Sequence, residues 1–285
     1  MKSIIFGEVI WDVYPHKKSI GGAPFNFGAH LSLLGNEVYL ITAVGKDTPG
    51  DDAITEMQKY GIETCLVTKN DFPTGQCTVT LDENKVPSYY VHDDTAYDNI
   101  HITDDMIEKI KEIDADVFYF NTLIQRNGVS KKSLLEILKK CTFKEIFCDI
   151  NIREGCFDHD SLLLCMEKAT TIKISDEEIH YIYDMGILDK SAITLSDICK
   201  AFQNIETLVF TKGAKGSEVY DATEDKTYYS QDIPKVEVLS TVGAGDSYGA
   251  TFLDSVMKGE SIDEAIVKAT QKSARVVASY ESIIN

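Results

Sequence analysis

The chain has 285 residues, 44% hydrophobic and 26% charged, the balance of an ordinary globular protein with a large core. Its formal net charge of −18 argues against nucleic acid or an anionic membrane surface as a partner. The seven scattered cysteines form no Cys-x-x-Cys, the start meets an acid at Glu8, and no apolar run approaches the roughly 20 residues of a membrane span, so free thiols in a cytoplasmic setting are expected.

Apolar and helical patterns alternate along the chain. A buried strand is predicted over 3–10, a helix over 23–34, a strand over 38–44 and a helix over 50–60. Residues 73–98 then break the pattern. Gln76–Leu81 and Val86–Val91 are β-branched and aromatic runs around a polar turn, Asp82-Glu83-Asn84, which reads as a β-hairpin. After it come a helix over 103–113, a strand over 116–121, a helix over 130–140, a strand over 145–150 and a helix over 159–168. Strands over 170–174 and 207–211 and helices over 175–184, 246–258 and 262–280 complete the series. Such alternation implies right-handed β-α-β units in a doubly wound, mainly parallel α/β sheet, with ligands beyond the carboxyl ends of the strands. No linker or repeat divides the chain, so 1–285 reads as one domain.

Two loops carry the chemistry. Gly243-Ala244-Gly245 runs straight into Asp246 and then into a helical pattern. Glycines permit a tight turn and close approach of a ligand, and unpaired amides at a helix start attract anions. An acid placed there can take a proton while the amides hold a phosphate, which is a phosphoryl-transfer layout. A plain tight turn is the simpler alternative. A dinucleotide fingerprint is another, although Gly243, Gly245 and Gly249 are spaced one residue too long for it and no later strand follows. In the second loop, Gly21-Gly22-Ala23-Pro24-Phe25-Asn26 leads into a helix with Pro24 in its first turn. The amide of Asn26 and the carboxylate of Asp12 could bind hydroxyls, or serve as a helix cap and a turn acid. There is no Walker A loop and no His-Glu-x-x-His, and His30 reads as a core histidine.

These residues, in order along nearly the whole chain, resemble the two signatures of the PfkB, or ribokinase-like, carbohydrate kinases. Gly21–Phe27 is similar to the first and Thr241–Asp246 to the second. Gly7-Glu8 with Asp12, Phe120–Arg126, Cys148–Arg153 and Thr211–Ser217 resemble further segments, most closely those of fructokinases. The resemblance implies a ribokinase-like fold with a small β-sheet lid formed by about 11–22 and 73–98, through which a homodimer could form. It implies transfer of the γ-phosphoryl group of ATP, with Mg²⁺, to a primary hydroxyl of a sugar, fructose first. Another sugar, a nucleoside or silent sugar binding remain open. Asp246 would be the base, with the amides of Gly243, Ala244, Gly245 and Asp246 on the phosphoryl group. Asp12, Gly22, Asn26 and Arg153 would bind substrate. Thr211, Lys212, Gly213, Gly216 and Ser175 would line the nucleotide, and Glu178 would act indirectly on the metal. Lys212, Lys215 and Arg153 are the cations that could offset the negative field around an anionic nucleotide. The sequence departs from the family at Ser240, where an Asp helps hold a monovalent cation, so K⁺ activation is not carried over. It departs again at Ser175, which replaces an Asn.

Overall fold

The computed structural model describes residues 1–81, 87–189, 191 and 194–285. Strand β1 (Lys2–Phe6) is followed by a hairpin of β2 (Ile10–Val13) and β3 (Lys18–Gly21), then α1 (Ala23–Leu33), β4 (Glu37–Gly45) and α2 (Thr48–Lys59). Short strands β5 (Ile62–Glu63) and β6 (Val67–Asn70) precede β7 (Gly75–Leu81) and β8 (Pro87–Val91). Then come α3 (Asp104–Ile113), β9 (Val117–Asn121), α4 (Gly128–Lys140), β10 (Glu145–Asp149), α5 (His159–Lys168) and β11 (Thr171–Ser175). Helices α6 (Ile179–Asp184) and α7 (Leu195–Ala201), strands β12 (Thr207–Thr211), β13 (Ser217–Asp221) and β14 (Lys226–Tyr229), and helices α8 (Ala244–Met257) and α9 (Ile262–Val277) close the order.

The main sheet runs β14-β13-β12-β11-β10-β9-β1-β4-β5, with β6 beside β4. From β4 to β12 its neighbours pair in parallel, and β13 and β14 add an antiparallel edge. The central strands are apolar on both faces because both faces are covered. Ile4, Phe6, Phe118 and Phe120 pack with Ile107 of α3, Leu134 of α4 and Leu162 of α5. Ile5, Tyr119 and Phe147 pack on the other side with Phe25 and Phe27 of α1 and Leu253 of α8. Phe27 stacks on Tyr119 at 4.3 Å between centroids. The helices start where the sequence supplies caps: the Thr103 side chain accepts from Met106 N at 3.2 Å, and Ser261 and Glu264 form a capping box for α9.

The doubly wound expectation holds, with corrections at its edges. The predicted strand 3–10 is two strands in two sheets. It breaks after Phe6 because Gly7 passes against Pro24, where a Cβ would fall 2.2 Å from the ring. The hairpin expected within 73–98 lies apart from the main sheet, as the resemblance implied. It joins a separate four-stranded sheet ordered β3-β2-β7-β8, while its turn at 82–84 lies outside the described residues. Arg126 ties this sheet to the body, donating to both oxygens of Asp98 at 2.7 and 2.8 Å and to the carbonyl of His92 at 2.6 Å. The helix predicted from 175 begins at Ile179, because Ser175 still belongs to β11. Strands β13 and β14 and helix α7 were not expected, being short and mostly polar.

Candidate active site

Helix α8 opens at Gly243, whose φ of 80° is a left-handed conformation that favours glycine. A Cβ there would also fall 2.5 Å from the carbonyl of Ser282. That carbonyl accepts a hydrogen bond from Nε2 of His30 at 3.0 Å. His30 is buried as expected, and burial pushes its imidazole down to about 4, so it stays neutral. The C-terminal segment is thus pinned behind the turn. In front of it, the amides of Gly245 and Asp246 have no acceptor among the described residues, as first-turn amides of a helix should.

Asp246 lies buried in this first turn. Its Oδ2 accepts a hydrogen bond from Nδ2 of Asn26 at 2.8 Å, across 220 residues of sequence. Asn26 is held in the first turns of α1, which starts at Gly22 with φ 105°. A Cβ on Gly22 would fall 2.6 Å from the carbonyl of Glu8, so only glycine lets the two loops close on each other. Burial pushes the carboxyl of Asp246 up, while the Asn26 bond and the charges of Lys173 and Arg153 pull it back. Asp12 projects from β2 over Gly21, where a Cβ would fall 2.7 Å from its Oδ2. Burial pushes Asp12 up to about 6, against the charge of Arg153. Arg153 is exposed in the loop after β10, and among the described residues no carboxylate pairs with it. Asp12, Gly22, Asn26, Arg153 and Asp246 therefore meet at one rim, although Asp12 lies within β2 and not past a strand end as expected.

Four further residues complete this rim. Glu8 is fully buried, accepts from Nδ2 of Asn121 at 3.0 and 3.1 Å, and is pushed up to about 7 by burial. Lys173 and Asp149 form a buried ion pair, the ammonium 2.9 Å from both carboxylate oxygens. No clear signal marks Lys173 in the sequence, because Thr-Ile-Lys-Ile-Ser alternates polar and apolar residues as a half-solvated strand does.

Residues 2–285 match the pfkB family of carbohydrate kinases. The chain belongs to that family. The uncharacterized sugar kinase PH1459 of Pyrococcus horikoshii is 27% identical over 265 residues, covering 88% of this chain and 78% of its own. Its structure superposes with a TM-score of 0.83 at 24% identity, over 99% of this chain and 93% of that one. A 5-dehydro-2-deoxygluconokinase of Mesomycoplasma hyopneumoniae is 27% identical over 284 residues, 93% of this chain and 80% of its own. A fructokinase of Xylella fastidiosa with bound ATP shares the fold at a TM-score of 0.83 and 19% identity, over 99% of this chain and 93% of that one. The architecture is the ribokinase-like α/β fold of these kinases, with its smaller second sheet.

In this kinase the remaining expected residues gather at the ends of β11 and β12. Ser175 pairs with Thr211 in register, and the carbonyl of Thr211 accepts from Asp176 N at 2.9 Å. Glu178 turns back to accept from the amide and hydroxyl of Ser175 at 2.9 and 2.8 Å, and from the amide of Ile152 at 2.8 Å. It thereby joins the β11 end to the loop of Arg153. Lys212 is paired with Glu218, and Lys215 stands 3.8 Å from Asp176. Gly213 and Gly216 shape the turn after β12, both with positive φ. Ser240 accepts from the amide of Val242 at 3.2 Å. Both oxygens of Glu178 are already engaged, and among the described residues no group of three metal ligands is assembled. With both oxygens engaged, Glu178 does not fit as a direct ligand of Mg²⁺. No helix among the described residues is long and apolar enough to cross a membrane.

Proposed function

We propose that this kinase transfers the γ-phosphoryl group of ATP to a primary hydroxyl of a sugar, with fructose as the first candidate. The observation that carries the reading is Asp246: a buried carboxylate in the first turn of α8, beside amides without acceptors, fixed by Asn26 from the other end of the chain. Asp246 takes the proton of the attacking hydroxyl. The amides of Gly243, Ala244, Gly245 and Asp246, with the positive end of the α8 dipole, receive the transferring group. Asp12, Gly22 and Asn26 bind sugar hydroxyls, and Arg153 steadies phosphate or substrate. Ser175, Thr211, Lys212, Gly213 and Gly216 line the nucleotide. Mg²⁺, arriving with the triphosphate, supplies neutralising charge, and Glu178 acts on it only from a distance. The four-stranded sheet closes over the sugar as a lid and excludes water, and a homodimer could form through it.

A second reading, an acidic sugar of the kind named for the Mesomycoplasma relative, is favoured by the exposed guanidinium of Arg153, which has no carboxylate partner among the described residues. ADP release from MgATP, measured with fructose, 5-dehydro-2-deoxygluconate, other sugars and nucleosides, with and without potassium, decides between the two. Turnover on fructose supports the first reading, and turnover confined to the acid supports the second. Sugar binding by calorimetry with no ADP release from any acceptor would overturn both in favour of a silent binder.

A further inference from the structure

The glycines of the α8 start have separate tasks. Gly243 makes the turn. Gly245 and Gly249 stand four residues apart on one helix face, and both look onto the side chain of Lys173. A Cβ on Gly245 would lie 3.2 Å from its Nζ and 3.6 Å from its Cε. A Cβ on Gly249 would lie 3.4 Å from its Cδ and 3.2 and 3.3 Å from the rings of Phe27 and Phe147. The two glycines therefore form a groove that seats the lysine from Cδ to its ammonium. At its end the ammonium meets Asp149. Lys173 is 6% exposed and Asp149 1%. A buried ion pair is a poor source of stability, because desolvation offsets the attraction. Its placement under the phosphoryl-transfer turn calls for a role in that turn.

We propose that Lys173 is a positioning residue: seated in the Gly245–Gly249 groove, its ammonium keeps Asp246 ionised and puts positive charge beneath the amides that receive the phosphate. This rests on the reading of Asp246 as the base. The ionisable groups around Asp246 are Glu8 past β1, Tyr119 on β9, Asp149 on β10, Arg153 in the loop after it and Lys173 on β11. Two of them, Glu8 and Asp149, are acids whose ionised forms oppose that of Asp246, and the phenol of Tyr119 is held neutral by burial. Arg153 is exposed and screened by solvent. Lys173 is the buried cation in the set.

The test is a carbon-13 NMR titration of the Asp246 carboxyl, assigned by its disappearance in Asp246→Asn and run without substrates. The variants are Lys173→Gln, whose amide still donates to Asp149, and Lys173→Met/Asp149→Asn, which leaves no buried charge unpaired. The Asp246 midpoint rises in Lys173→Gln and rises less in the double variant. The acid limb of kcat/KM moves up with it, so turnover below the limb falls by about ten- to a hundredfold and recovers at alkaline pH. An unmoved midpoint in either folded variant overturns the proposal, because a lysine that merely fills the groove would not shift it. If the midpoint moves while the wild type releases no ADP with any acceptor, the base reading falls and the coupling of Lys173 to Asp246 stands.

Discussion

The two halves of the site are built differently. The rim around Asp246 is dry except at its outer edge, where Asp12 is half-buried and Arg153 exposed: Glu8, Asp149, Lys173, Asn26 and Asp246 are all buried and bonded to one another or to Asn121. The loop of Lys212 to Gly216 is wet: its lysines pair with Glu218 and Asp176 near the surface, and its shape comes from two glycines. Burial raises the energy at stake in each charge, so the dry rim can hold a base at a chosen proton affinity. The wet loop cannot, and it offers backbone and shape. Chemistry is therefore expected to depend on individual side chains on one side and on backbone conformation on the other.

The sharpest break of this contrast is Asp246→Asn, which should lower kcat by about 10²–10⁴-fold with the fold intact. Next comes Glu8→Gln, read by thermal melting. Burial raises the Glu8 carboxyl from 4.5 to about 7, so the folded state keeps a proton that the unfolded chain has released. That contribution to stability is full below pH 4.5 and is lost as pH rises through about 7. The glutamine variant should match the wild type near pH 4 and exceed it by about 3 kcal/mol at pH 8. Gly243→Ala, strained at positive φ and set against Ser282, should cost about 2 kcal/mol of stability and reduce turnover. Asp12→Asn should raise the sugar KM by about tenfold and change kcat less. At the small end, Lys212→Ala should change the ATP KM by about twofold or less, since it removes a near-surface ion pair. A large loss there would erase the contrast between dry rim and wet loop.

The contrast also governs what could be read from the sequence. Central strands were legible because burial on both faces leaves unbroken apolar runs such as Val117–Asn121. The glycine turns before Asn26 and Asp246 were legible because turn chemistry is local, while the roles of Asp12, Asn26 and Asp246 came from the resemblance. The break between Phe6 and Ile10 was not, since it depends on Gly7 meeting Pro24 across a loop. Edge strands β13 and β14 were missed because their outer residues are polar and half-exposed. Lys173 and Asp149 were missed as a pair because two separate strands bring them together. Gly249 had no task legible in the sequence, its spacing being one residue too long for a nucleotide fingerprint, because Lys173, Phe27 and Phe147 reach it from other elements.

The role of Asp246 is tested most directly by measuring binding and ADP release on the same preparation of Asp246→Asn, with the acceptor the wild type prefers. The expected result is sugar and nucleotide affinity within a few-fold of wild type, with ADP release collapsed. ADP release near the wild-type rate would contradict Asp246 as the base and remove the reason for the buried charges around it.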